Sequence, residues 1–169
     1  CVEDYVCAGR ICMQEDRPPT AADLLSSPLC TGIFPAGSEE DVDSGEARLL
    51  ATALPTSFSP SNGAERERAV ELAAEEIAET GGVLGQPLAV LACDTGNDPE
   101  QATEVVEFAA GFAGAEAIIG CASSTNTVRA FQEAALPLNT VMMSPSATSV
   151  RLTDIEDRDL LWRTAPGSR

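Results

Sequence analysis

The sequence predicts an α/β fold built on a parallel sheet with helices on both faces. Three observations carry that prediction. From Arg48 onward, short apolar runs alternate with longer stretches of helical period. The runs are mostly apolar and closed by Pro, Gly or Ser-rich loops, as expected of strands buried on both faces. Each stretch between them can hold a helix, and a helical connection between parallel strands is right-handed.

Leu49 to Leu54 is the first strand, closed by Pro55. The polar loop Thr56 to Asn62 offers Ser59, Ser61 or Asn62 as an N-cap, and Val70, Ala73 and Ile77 recur at i, i+3 and i+7 in a helix that stops at Gly81-Gly82. Pro87 to Cys93 is the second strand. Asp98 then caps a helix with Pro99 in its first turn and Ala102, Val105, Val106, Ala109 and Ala113 as its buried stripe, ended by Gly114. Ala117 to Gly120 is the third strand. Ser123 or Ser124 caps the next helix, whose stripe is Val128, Phe131 and Ala135, and Leu136-Pro137 leads into the fourth strand, Thr140 to Met143. Leu160 to Thr164 is the fifth, before Pro166.

Residues 1–47 differ in kind. They hold ten acidic residues against Arg10 and Arg17, several Gly and Pro, and four of the six cysteines, with no helix or strand period. An acidic, Cys-rich segment or linker is expected there, its charge run Glu39, Glu40, Asp41, Asp43 forming a solvated tether. The spacing of Cys1, Cys7, Cys12, Cys30, Cys93 and Cys121 lacks two matched close pairs, so disulfides are favoured over zinc, and a compartment outside the cytoplasm over a reducing one. Neither the acidic run nor Asp94 to Asp98 has the spacing of a calcium loop.

Composition narrows function. The formal net charge is −17, and every basic residue is Arg. Such a charge repels phosphate backbones and anionic lipid, so no nucleic-acid partner is expected. With neither His nor Lys in the chain, His-based general bases, Ser/His/Asp triads, Schiff bases and Lys-ended phosphate loops are excluded, and no enzyme is expected. No cofactor or metal is implied, since GxGxxG and GxSxG are also absent. No apolar run approaches the roughly 18 residues of a membrane span.

Ligands of open α/β sheets bind beyond the carboxyl ends of the strands, at the loops that begin here at Pro55, Cys93, Gly120 and Ser144. Two are rich in hydroxyls. Gly120-Cys121-Ala122-Ser123-Ser124-Thr125 runs into a helix N-terminus, whose N–H groups and dipole favour an anion such as a carboxylate. Ser144-Pro145-Ser146-Ala147-Thr148-Ser149 follows the neighbouring strand and can accept from an ammonium as well as donate to a carboxylate.

These residues also carry a resemblance. Gly81-Gly82-Val83-Leu84-Gly85, Cys93-Asp94-Thr95, Asp98-Pro99, Ala117-Ile118-Ile119-Gly120, Ser123-Ser124-Thr125, Ser144 to Ser149 and Trp162-Arg163-Thr164-Ala165-Pro166 come in the order seen in the first lobe of type I periplasmic binding proteins. The chain most resembles the branched-chain amino-acid-binding receptors of ABC transporters, over residues 48–169.

The resemblance implies a three-layer, Rossmann-like lobe with strand order 2-1-3-4, extended by the fifth strand, in a chain that stops before the second lobe of a clamshell. It implies that Ser123 and Ser124 hold a ligand α-carboxylate and that Ser146, Ala147 and Thr148 hold the α-carboxylate and α-ammonium. Asn62 stands where relatives often place an aromatic residue. The function implied is an extracytoplasmic receptor, periplasmic or at the cell surface, that delivers an amino acid or similar zwitterion to an ABC permease through the full-length protein. The alternative is a sensory ligand-binding domain that signals to a membrane partner. Some relatives bridge the loops after the second and third strands, and strands in the order 2-1-3 bring both loops over the end of the first, so a Cys93–Cys121 disulfide is expected. The chain starts at Cys1 without an initiator Met, so removal of an upstream segment is expected. Cys1 then either pairs within the N-terminal cluster or carries a lipid anchor, the one contact with a membrane.

Overall fold

The computed structural model describes residues 5–8, 11–14 and 17–168. A hairpin of β1 (Tyr5–Ala8) and β2 (Ile11–Gln14) precedes α1 (Ala21–Leu25), β3 (Cys30–Phe34) and α2 (Ser38–Ser44). The alternating part follows: β4 (Arg48–Leu54), α3 (Pro60–Glu79), β5 (Leu88–Asp94), α4 (Pro99–Glu107), β6 (Ala117–Gly120), α5 (Ser124–Ala130), β7 (Val141–Ser144), α6 (Arg151–Asp154) and β8 (Leu161–Arg163). Both α4 and α5 run on as a π-helical turn, Phe108–Phe112 and Phe131–Ala135.

Six strands form one sheet in the order β3-β5-β4-β6-β7-β8. Taking β4 as first, the expected order 2-1-3-4 holds, and the fifth strand joins beside the fourth. All these pairs are parallel. The central strands β4 and β5 are apolar because both faces are covered: Ala51, Ala53, Leu91 and Cys93 are wholly buried on one side, Val90 and Ala92 on the other.

The two faces are covered unequally. One carries α4 and α5, whose Val105, Val106 and Phe131 pack with Ile118 and Met142 in the larger core. The other carries α3, which buries Ala74 with Phe34, Leu88, Val90 and Ala92 and leans Val70 and Ile77 on the same cluster. That stripe is i, i+4, i+7, so Ala73, expected inside, is exposed on the flank of α3. There it lines an apolar groove with Leu54, Ala69, Ile119 and Pro145. Beyond the groove, Met143 and Trp162 stay 41% and 55% exposed on the α3 side of β7 and β8.

The expected linker character fails for residues 17–47. Thr20 and Asp23 form a capping box on α1, whose Leu24 is wholly buried. The tether expected at Glu39–Asp43 is the helix α2. β3 pairs antiparallel with β5 as an extra strand outside the alternating part. Its register sets Cys30 opposite Cys93, and the two form a disulfide.

The expected Cys93–Cys121 bridge is therefore absent, and Cys121 is a buried free thiol. β4 lies between the strands that lead to these two residues: Cys93 is in register with Ala53, and Ala53 in turn with Gly120. Two strand spacings are roughly 10 Å, beyond the ~7 Å that a disulfide spans between Cα atoms. Cys1 lies outside the described residues.

Candidate functional site

Parallel strands put the carboxyl ends of β4, β5, β6 and β7 on one edge of the sheet, and the site is built from the loops there. Gly120 makes the first step possible. A Cβ at this position would collide with the Ala53 carbonyl oxygen and lie 2.8 Å from the Ala53 side chain, so β6 leaves the sheet against β4 only as glycine. Gly63 does the same for α3, where a Cβ would lie 2.7 Å from the Pro55 oxygen.

The five residues singled out in the sequence come together as two adjoining loops. Ser123 is the N-cap of α5, its Oγ accepting from the Asn126 N–H at 3.3 Å. Ser124 Oγ accepts from the N–H groups of Thr148 and Ser149, each at 3.2 Å. The Ser146 hydroxyl donates to the Ala122 carbonyl at 2.8 Å. Ala147 is buried and its N–H donates to Ser144 Oγ at 3.1 Å. Thr148 is exposed, and its carbonyl accepts from the Ser168 N–H and hydroxyl at 2.7 and 2.9 Å.

A hydroxyl has one hydrogen to donate and two lone pairs, so these bonds give the half-buried hydroxyls opposite polarities. Ser123 and Ser124 accept from the backbone and donate to no group among the described residues, leaving both hydrogens for an anion. Ser146 spends its hydrogen on Ala122 and retains lone pairs for a cation. The Thr148 hydroxyl is unengaged among the described residues.

Sequence reasoning missed what lies beneath. Ser144 and Thr127 are both wholly buried. The Ser144 hydroxyl donates to the Cys121 carbonyl at 2.6 Å, and the Thr127 hydroxyl lies 2.7 and 2.9 Å from the Ser123 and Cys121 carbonyls. The only signal was at Ser144, a polar residue between Met143 and Pro145; Thr127, next to Asn126, gave none. Burial pushes the Cys121 thiol up to about 12, so it does not ionise at neutral pH.

On the β4 and β5 side, Asp94 accepts from the N–H groups of Ser57 and Gly96 at 3.2 and 3.0 Å. Burial alone would raise its carboxyl, but hydrogen bonds from Ser57, Gly96 and Thr56 outweigh it and hold the group below its ordinary value. Glu67 on α3 moves the other way, raised by burial and then by the charges of Glu71 and Asp94, with Oε2 buried and unpaired. Phe58, on the loop after β4, is 64% exposed. Among the described residues no cluster of His, Cys, Asp or Glu is fit to hold a metal ion, and no described helix is long and apolar enough to cross a membrane.

The same architecture recurs in solved structures. An ABC transporter substrate-binding protein from Desulfitobacterium hafniense, in complex with Leu, is 28% identical with a TM-score of 0.62, over 72% of this chain and 35% of that one. The branched-chain amino acid transporter substrate binding protein LivJ from Streptococcus pneumoniae, in complex with isoleucine, is 24% identical with a TM-score of 0.66, over 72% and 34%. The chain thus spans about a third of the length of these proteins, and it matches their first lobe. No curated protein is significantly similar. The profile of the periplasmic binding protein family matches residues 51–160, which run from within β4 past β7 and include both serine loops, and the chain belongs to that family.

Proposed function

We propose that the protein binds an amino acid or a similar small zwitterion between this lobe and a second one, outside the cytoplasm, and delivers it to an ABC permease. The observation that carries this reading is the split polarity of the two loops: Ser123 and Ser124 offer hydroxyl hydrogens to a carboxylate, and Ser146 offers lone pairs to an ammonium. The complexes of the Desulfitobacterium protein with Leu and of LivJ with isoleucine support a ligand of this class. The Cys30–Cys93 disulfide supports an oxidising compartment.

A hydrogen bond to a charged group contributes roughly 1.5 to 3 kcal/mol, and least where water competes. In this lobe alone the loops face water. The 169-residue chain therefore binds amino acids no tighter than about millimolar, about −4 kcal/mol, and a protein carrying both lobes binds them much more tightly. Calorimetric titration of both forms with a panel of amino acids, their methyl esters and their N-acetyl derivatives tests this. Both modifications should abolish binding by the two-lobed protein. Micromolar binding by the single lobe, or undiminished binding of the esters, refutes it.

A further inference from the structure

We propose that Ser144 and Thr127 are positioning residues that fasten the two serine loops into one preassembled half-site, an inference that rests on the zwitterion-binding reading. Neither can touch a ligand, since both are wholly buried. Ser144, the last residue of β7, reaches across to the first residue after β6: its hydroxyl donates to the Cys121 carbonyl and accepts from the Ala147 N–H of its own loop. Thr127, one turn into α5, lies 2.7 Å from the Ser123 carbonyl and 2.9 Å from that of Cys121, both in its own loop, and its hydroxyl meets the Ser144 hydroxyl at 3.4 Å, which is its link to the other loop. The other ties between the loops run through Ser124 and Ser146, which are themselves candidate ligand groups. Among the described residues, only Ser144, with Thr127 bonded behind it, holds the loops together by a side chain that is not also part of the binding surface.

The physical reason for such an arrangement is entropic. Cys121 and Ala147 are buried, so their polar backbone groups must be paired inside the protein. Pairing them through one serine fixes the separation of the donor loop and the acceptor loop before any ligand arrives. The ordering cost is then not charged against binding.

Amide hydrogen exchange by NMR on the 169-residue chain, without ligand, reads the clamp directly in Ser144→Ala and Thr127→Val. The expected result is exchange at least tenfold faster at Ala147, Thr148 and Ser149 in Ser144→Ala and at Asn126 in Thr127→Val, with wild-type rates in β4 and β5. Unchanged loop rates overturn the proposal, as does a uniform acceleration across the sheet. Thr127→Val keeps the side-chain volume and decides the matter if Ser144→Ala does not fold. In a protein carrying both lobes, either variant should bind L-leucine at least tenfold more weakly at a temperature where it is fully folded. Undiminished affinity in a variant whose loops have loosened also overturns it. If the wild type binds no amino acid while the exchange pattern holds, the zwitterion reading fails and the clamp stands.

Discussion

Replacing Cys30 and Cys93 together by Ala removes the covalent tie between β3 and β5 while leaving their strand pairing in place. The two residues are 63 apart in sequence. In the chain-entropy account, closing a loop of that length restricts the unfolded ensemble by about 14 cal/mol/K, or about 4 kcal/mol at 25 °C. For a domain of this size each kcal/mol shifts Tm by about 2 to 4 °C, so the double variant should melt about 8 to 16 °C lower. Urea unfolding followed by circular dichroism measures the free energy, and a thermal scan measures the shift. Cys121→Ala is the internal control. Its thiol is buried but bonded to nothing, so the variant should keep the bridge and lose only the packing of one sulfur. A loss below about 1 kcal/mol in the double variant would refute the reasoning, because the tie would then not be restricting the unfolded chain. An equal or larger loss in Cys121→Ala would refute the assignment of the bridge.

Three further outcomes follow from the structure. Glu67 has its carboxyl raised in the folded state, so whatever stability this group lends is present in acid and is lost as pH rises through its folded pKa; Glu67→Gln should raise Tm at pH 7, with a gain that vanishes toward pH 4 in a pH series of melts. Asp94 is lowered, so its contribution is present at neutral pH and is lost as pH falls through its folded pKa; Asp94→Asn should cost roughly 1 to 3 kcal/mol at pH 7 in urea unfolding, and less in acid. In a protein carrying both lobes, Thr148→Ala should weaken every amino-acid ligand by a similar factor, roughly tenfold, because the hydroxyl would meet the end that all of them share; calorimetry showing a loss confined to one ligand would refute that role.

The regular part of the fold was legible because each strand from Leu49 onward carries an apolar run and each of the three longer helices a cap, a stripe and a stop, glycine after α3 and α4 and Leu136-Pro137 after α5; α6, four residues long, carries no such signal. Asp98, for instance, caps α4 as expected, accepting from Glu100 and Gln101 at 2.9 Å. What escaped depends on partners far away in sequence. α1, β3 and α2 are each only one or two turns or a few residues long, too short to show a period. β3 is held by a strand some 60 residues downstream, which no local pattern reveals. The same limit applies to the site. Its loops could be found because hydroxyls gather at strand ends, but whether a hydroxyl donates or accepts depends on what the other loop offers it. Ser124 meets the backbone of Thr148 and Ser149, 24 and 25 residues away, and those contacts leave its hydrogen free.

The placement of β3 also bears on how the protein behaves when concentrated. Without it the sheet would end on β5, a seven-residue strand that is apolar up to Asp94, with a row of unpaired backbone groups, a template for a second chain to add to. β3 takes that position and is a poor template itself: five residues long, shifted in register between Cys30 and Gly32, and followed at once by Pro35, which has no N–H to offer. At the opposite edge β8 has three residues. A truncation that begins at Arg48, which looks like a clean domain boundary by pattern alone, would uncover the aggregation-prone edge, and its expression should yield sheet-rich assemblies where the longer chain stays dispersed.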